Sequence, residues 1–116
     1  MYALKHHPSL TPERWSSFPT EKQIFMIGNE INRLLSSLAA DQDEETLKLT
    51  IERALELTDL TICCQKGNLR FELLRWRDLL ASLYLLNKGD LKKLAQEVDL
   101  LLKTLLSLNS KSAILL

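Results

Sequence analysis

The sequence predicts an all-α protein: an antiparallel, up-down-up-down four-helix bundle preceded by a short N-terminal arm. Three observations lead there. The chain of 116 residues holds only three Gly and three Pro, so turns are scarce and elements must be few and long. Apolar residues recur at alternating spacings of three and four through most of the chain. Helix-ending and helix-starting residues fall at regular intervals, leaving connections so short that successive helices must reverse direction. The expected division is an arm over residues 1–19 and a bundle over 20–116, with helices at about 20–39, 43–65, 68–87 and 90–108.

In the arm, Thr11-Pro12-Glu13 reads as the start of one helical turn, with Pro at the first helical position. That turn carries Trp15 and Phe18 towards one end of the bundle. Thr20 followed by Gln23 has the form of a capping box opening the first long helix. Ile24, Ile27, Ile31, Leu34 and Leu38 form its core stripe. AADQDEE interrupts the pattern, and Asp41 or Asp43 caps the second helix. Gly67 stops that helix, Asn68 caps the third, Gly89 ends it and Asp90 caps the fourth. Leu69, Leu73, Trp76, Leu80 and Leu83 line the third; Leu91, Leu94, Val98, Leu101, Leu105 and Leu108 line the fourth.

The second and third helices carry more apolar surface than one core stripe requires. The second has a core line of Leu47, Ile51, Ala54, Leu55, Thr58 and Ile62. It has another of Leu49, Leu57, Leu60 and Cys64, with Arg53 in its path. The third adds Phe71, Leu74, Ala81 and Leu85, interrupted by Asp78. A helix apolar on two sides is sandwiched between elements or meets another chain. The expectation is a homo-oligomer, a two-fold dimer before others, with an interface of Leu49, Arg53, Leu57, Leu60, Phe71, Leu74, Asp78 and Leu85. Arg53 and Asp78 pair across its axis. The alternative is that the arm and the C-terminal SAILL cover the surplus.

Composition narrows function. Fifteen basic side chains balance fifteen acidic ones, which disfavours general phosphate neutralisation. MYALKHHPSLTPERW has no apolar core of a secretory signal, and no run approaches the ~18 apolar residues of a membrane span. A cytoplasmic location without membrane partners is expected. His6 and His7 lie ahead of the bundle, and adjacent Cys63 and Cys64 lack zinc-site spacing, so no metal or other cofactor is expected. No phosphate loop and no nucleophile–base pair is present, so no catalytic residue is assigned and the protein reads as a non-enzyme.

Polar residues beside the core remain. Glu30, Arg33 and Asp59 form a polar framework, and Arg75 or Arg77 is placed to meet Glu30 in a bidentate pair. A small polar ligand between helices is the competing use of Glu30. Arg70, Arg75 and Arg77 with Lys88, Lys92 and Lys93 are the candidate nucleic-acid contacts. Gly28, inside the first helix, costs roughly 0.5–1 kcal/mol relative to Ala. Close approach of another helix or of Trp15 is the expected compensation.

Four segments occur in order: W-S-S-F-P-T-E-K-Q from Trp15, I-G-N-E-I-N-R from Ile27, R-A-L-E-L-T-D-L-T-I from Arg53 and R-W-R-D-L-L from Arg75. Over about residues 15–86 they resemble a small bacterial helical family with W-x-x-x-S, E-Q, I-G-S-E-V-x-R, A-L-E-L-L-D-L-T-I and R-x-R-E-V-L segments. That family has no established activity. The resemblance implies a shared structural framework of Trp15, Gly28, Glu30, Arg33, Asp59 and Arg75. In layout the chain is also similar to 23S ribosomal RNA intervening-sequence proteins and to accessory proteins of diversity-generating retroelements. Both are oligomeric bundles, and the latter assist a reverse transcriptase and its RNA. The functional expectation is a self-associating interaction or accessory module; a nucleic-acid-associated accessory protein is the second.

Overall fold

A computed structural model describes residue 7, residues 9–85 and residues 91–115, with side chains of the last segment described over 92–108. Among these residues there are only helices: α1 (Pro12–Ser16), α2 (Thr20–Ala39), α3 (Glu44–Cys64), α4 (Gly67–Leu83) and α5 (Leu91–Leu115). Four are long. α2 packs on α3 and α5, α4 also packs on both, and α1 lies on α3.

Side-chain bonds give the direction of two of these contacts. Thr20 at the start of α2 meets Gln65 just past α3, and Glu30 further along α2 meets Arg53 further back in α3. Likewise Asp59 meets Arg77, and Glu52 meets Tyr84.

The α2 core stripe is the one the periodicity predicts, and the α4 stripe is too except that Leu69 is half-buried. On α5 Leu94, Val98, Leu101, Leu105 and Leu108 are buried as predicted, while the Leu91 side chain lies outside the described residues. Ile24, Ile27, Ile31, Leu73, Leu80, Val98 and Leu105 are sealed from solvent. Trp76 enters the same core, and its indole N–H donates to the Leu101 carbonyl at 2.9 Å.

Helix ends differ in detail from expectation. Asp43 caps α3 by accepting from the Thr46 N–H at 2.7 Å. Thr20 and Gln23 do not form a capping box: Pro19 stands at the cap without a side-chain bond. The Gln23 amide donates instead to the carbonyls of Trp15 and Phe18, at 2.9 and 3.1 Å, tying the start of α2 to the end of the arm. Asn68 is not a cap either, because α4 begins one residue earlier. Gly67 itself turns the chain at φ +67°, a left-handed conformation that glycine adopts without the Cβ penalty. α4 ends at Leu83, where Tyr84 and Leu85 tighten into i→i−3 hydrogen bonds. α5 runs seven residues past the expected Leu108. Gly89 and Asp90 lie outside the described residues.

Gly28 faces α5 rather than Trp15. A Cβ there would stand 3.7–3.9 Å from the tips of Leu102, Leu105 and Leu106, which is ordinary contact distance.

Candidate functional site

The two surplus stripes meet different fates. Leu57 and Leu60, expected on an outward line, are buried within the chain at 2% and 6% exposure. α1 packs on the helix that carries them. Trp15 is completely buried, and its indole N–H donates to the Thr61 hydroxyl at 3.0 Å. Thr61 in turn donates to the Leu57 carbonyl at 2.9 Å, so one hydroxyl joins the arm to the α3 backbone. Phe18 closes the edge of Trp15 in a T-shaped contact at 5.7 Å, the arrangement that ring quadrupoles favour.

Arg53, placed on the same line to meet Asp78 of another copy, is also occupied. Its Nε and Nη2 donate to the two oxygens of Glu30, each at 3.2 Å. This is the bidentate pair expected of Glu30, but its partner comes from α3 and not from Arg75 or Arg77. Arg33 stands 3.7 Å from the same carboxylate.

His7 completes a cluster that sequence reasoning missed, having set both histidines outside the helical core. Its backbone N–H donates to Glu56 Oε1 at 3.0 Å; its imidazole lies 3.4 Å from that oxygen and 3.9 Å from Glu30. Glu30 and Glu56 are under a tenth exposed, and each carboxylate is compensated by partners brought from elsewhere in the fold. Only the i, i+3 relation of Arg53 and Glu56 hints at this in the sequence. Both carboxylate oxygens of Glu30 are thus engaged by Arg53. No group of three His, Cys, Asp or Glu among the described residues is arranged to hold a metal ion.

α4 presents the opposite case. Phe71, Leu74 and Leu85 are 66%, 38% and 86% exposed, Asp78 between them is exposed, and Ala81 is half-buried. Leu49 on α3 is 40% exposed.

Of the candidate nucleic-acid contacts, Arg77 and Arg70 are bonded within the chain. Arg77 donates through Nε and Nη2 to Asp59, the second bond at 3.3 Å. The bond to Asp59 is the main cause holding its guanidinium pKa above the ordinary value. Arg70 reaches the Ile62 carbonyl at 3.4 Å. Arg75, Lys92 and Lys93 are exposed, and Lys88 lies outside the described residues. Cys63 is exposed and Cys64 half-buried, and burial, with Cys63 beside it, pushes the Cys64 thiol pKa up. That disfavours the reactive thiolate.

Two recesses lie among the described residues, at the N-terminal half of α3 and its neighbours. One of about 20 Å³ between Leu34, Leu47, Ile51, Leu83 and Leu94 has room for about one water. The other is an open groove of about 540 Å³ beside Glu44, Glu45, Glu52 and Tyr84. Lys48 crosses it, 3.4 Å from Glu44 and 5.2 Å from the Tyr84 ring centre, and the Tyr84 hydroxyl donates to Glu52 at 3.2 Å.

Among the described residues no helix is long and apolar enough to cross a membrane. Comparison with protein-family models, with curated proteins and with solved structures found no match for this chain.

Proposed function

We propose that this chain is an antiparallel four-helix bundle that works by association, a non-enzymatic interaction module whose contact surface is the outer face of α4. The observation that carries the reading is the exposure of Phe71 and Leu74 on α4, continued by Leu85 just past its end; Phe25, Leu79, Leu100 and Leu106 are exposed singly elsewhere. A contiguous apolar face edged by charge is the surface character of interaction sites in soluble proteins, and aromatic residues dominate their energetics. Leu49 on α3 is a further exposed apolar residue, but Leu57 and Leu60 are buried within the chain and the half-buried Arg53 is held by Glu30, so these three leave the interface proposal.

The experiment is absolute mass by light scattering across a gel-filtration peak, with absorbance read at 260 and 280 nm. The expected result is an oligomer free of nucleic acid, converted to monomer by Phe71→Asp with helical circular dichroism unchanged. A monomeric wild type, or an oligomer indifferent to Phe71→Asp, overturns the reading. Nucleic acid that co-elutes and is removed by salt would replace it with the accessory-protein alternative.

A further inference from the structure

The charge on the bare face of α4 specifies what covers it. Phe71, Leu74, Asp78 and Ala81 follow one another along α4 at spacings of three and four, the seam of a helix packed lengthwise against another helix, and Leu85 stands just past its end. Arg75 flanks that seam. Elsewhere the charges beside apolar stripes are tied down: Arg53 by Glu30, Arg77 by Asp59. Arg75 and Asp78 are exposed, and neither makes an ion pair or side-chain hydrogen bond among the described residues; Asp78 acts only through space on Arg77, whose bonded partner is Asp59. One surface therefore offers a cation and an anion together, neither bonded to a partner among the described residues.

A surface that binds its own copy across a two-fold axis must carry both members of every pair it forms. This one does. Its geometry also selects the direction of packing. With two α4 helices parallel and in register, Arg75 would face Arg75 and Asp78 would face Asp78, which is repulsive twice. With the helices antiparallel and the axis midway between positions 75 and 78, Arg75 of each copy meets Asp78 of the other. The two positions are about 4.5 Å apart along the helix, so both ion pairs flank the axis closely. In the same register Phe71, about 8 Å from the axis, lies against Ala81 and Ser82 of the second copy. A large ring then faces the two smallest side chains of the seam.

We infer that α4 docks antiparallel on α4 of a second copy of this chain, with reciprocal Arg75–Asp78 pairs at the two-fold axis. This rests on the reading of α4 as the association surface and names its partner.

The test uses the full chain carrying Arg75→Asp or Asp78→Arg, each alone and in equimolar mixture, with mass measured by light scattering. Either reversal alone sets like charges together twice and is expected to weaken the dimer at least ten-fold. In the mixture one copy carries two aspartates and the other two arginines at these positions. Attraction returns and so should the dimer. Single variants that remain dimeric, or a mixture that stays monomeric, overturn the Arg75–Asp78 pairing. If Phe71→Asp still dissociates the protein, the α4 surface stands and only its occupant or register is wrong. A monomeric wild type removes both. Unchanged helical circular dichroism and thermal midpoint in the single variants separate lost association from lost folding.

Discussion

Helices α3 and α4 pose the same problem and solve it differently. Each carries a core stripe and a second apolar line interrupted by one charged residue, Arg53 on α3 and Asp78 on α4. On α3 the chain answers from within. The arm packs Trp15 against α3, Leu57 and Leu60 are buried within the chain, and Glu30 takes the charge of Arg53. On α4 nothing among the described residues does the same for Phe71, Leu74 or Leu85. A double-striped helix is thus a sign of a second contact, while the identity of that contact depends on where a distant segment goes. Three experiments test the contrast.

The largest effect is expected at the arm. Trp15→Ala removes a fully buried indole and the hydrogen bond to Thr61, and a truncation of this kind costs about 3–5 kcal/mol. Urea unfolding monitored by circular dichroism measures it. A loss of under about 1 kcal/mol would fall well below the range for a sealed aromatic. It would mean that the arm does not seal α3, and the contrast with α4 would collapse.

The next effect concerns the charge. Glu30 and Arg53 are joined by two charge-assisted bonds, with Glu30 a tenth exposed and Arg53 a third. Glu30→Gln leaves the guanidinium with a neutral acceptor and is expected to cost about 1–3 kcal/mol. A double-mutant cycle with Arg53→Met should return a coupling of about 0.5–3 kcal/mol. A coupling of zero would release Arg53 from the interior and return it to the candidates for contact with another molecule.

These residues also show where the sequence was legible. Periodicity and end signals placed α2 at its observed bounds and α3 within a residue of each end, because both are local properties of the chain. The stop at Leu83 was not legible, since the apolar pattern continues through Leu85 while the backbone has already tightened into turns. Glu30 was recognisable as a buried-edge carboxylate in need of an arginine. Which arginine was not, because Arg53, Arg75 and Arg77 all lie at helix edges and periodicity does not say which helices adjoin. The contribution of His7 was hidden more deeply: it reaches Glu56, 49 positions away, by a path no local pattern encodes. The α4 face was readable as surplus from the start, and among the described residues nothing remote in the chain covers Phe71 or Leu74; the C-terminal SAILL side chains lie outside them.

The smallest effect on folding is expected on α4, and its smallness is informative. Phe71→Ser exchanges a large ring for a small polar group, a change that would cost several kcal/mol if the ring were buried. At 66% exposure the ring gives up little packing when it is removed, so unfolding of the dissociated chain should shift by no more than about 0.5 kcal/mol. The same substitution should lower the concentration-dependent part of the thermal midpoint, because only the associated form covers the ring. Melting curves at several protein concentrations separate the two contributions. A large loss at the lowest concentration would mean that Phe71 packs within its own chain, and α4 would then resemble α3 after all. A small loss there, joined to a midpoint that no longer rises with concentration, keeps the two helices distinct: one stripe closed by the chain itself, the other closed between chains.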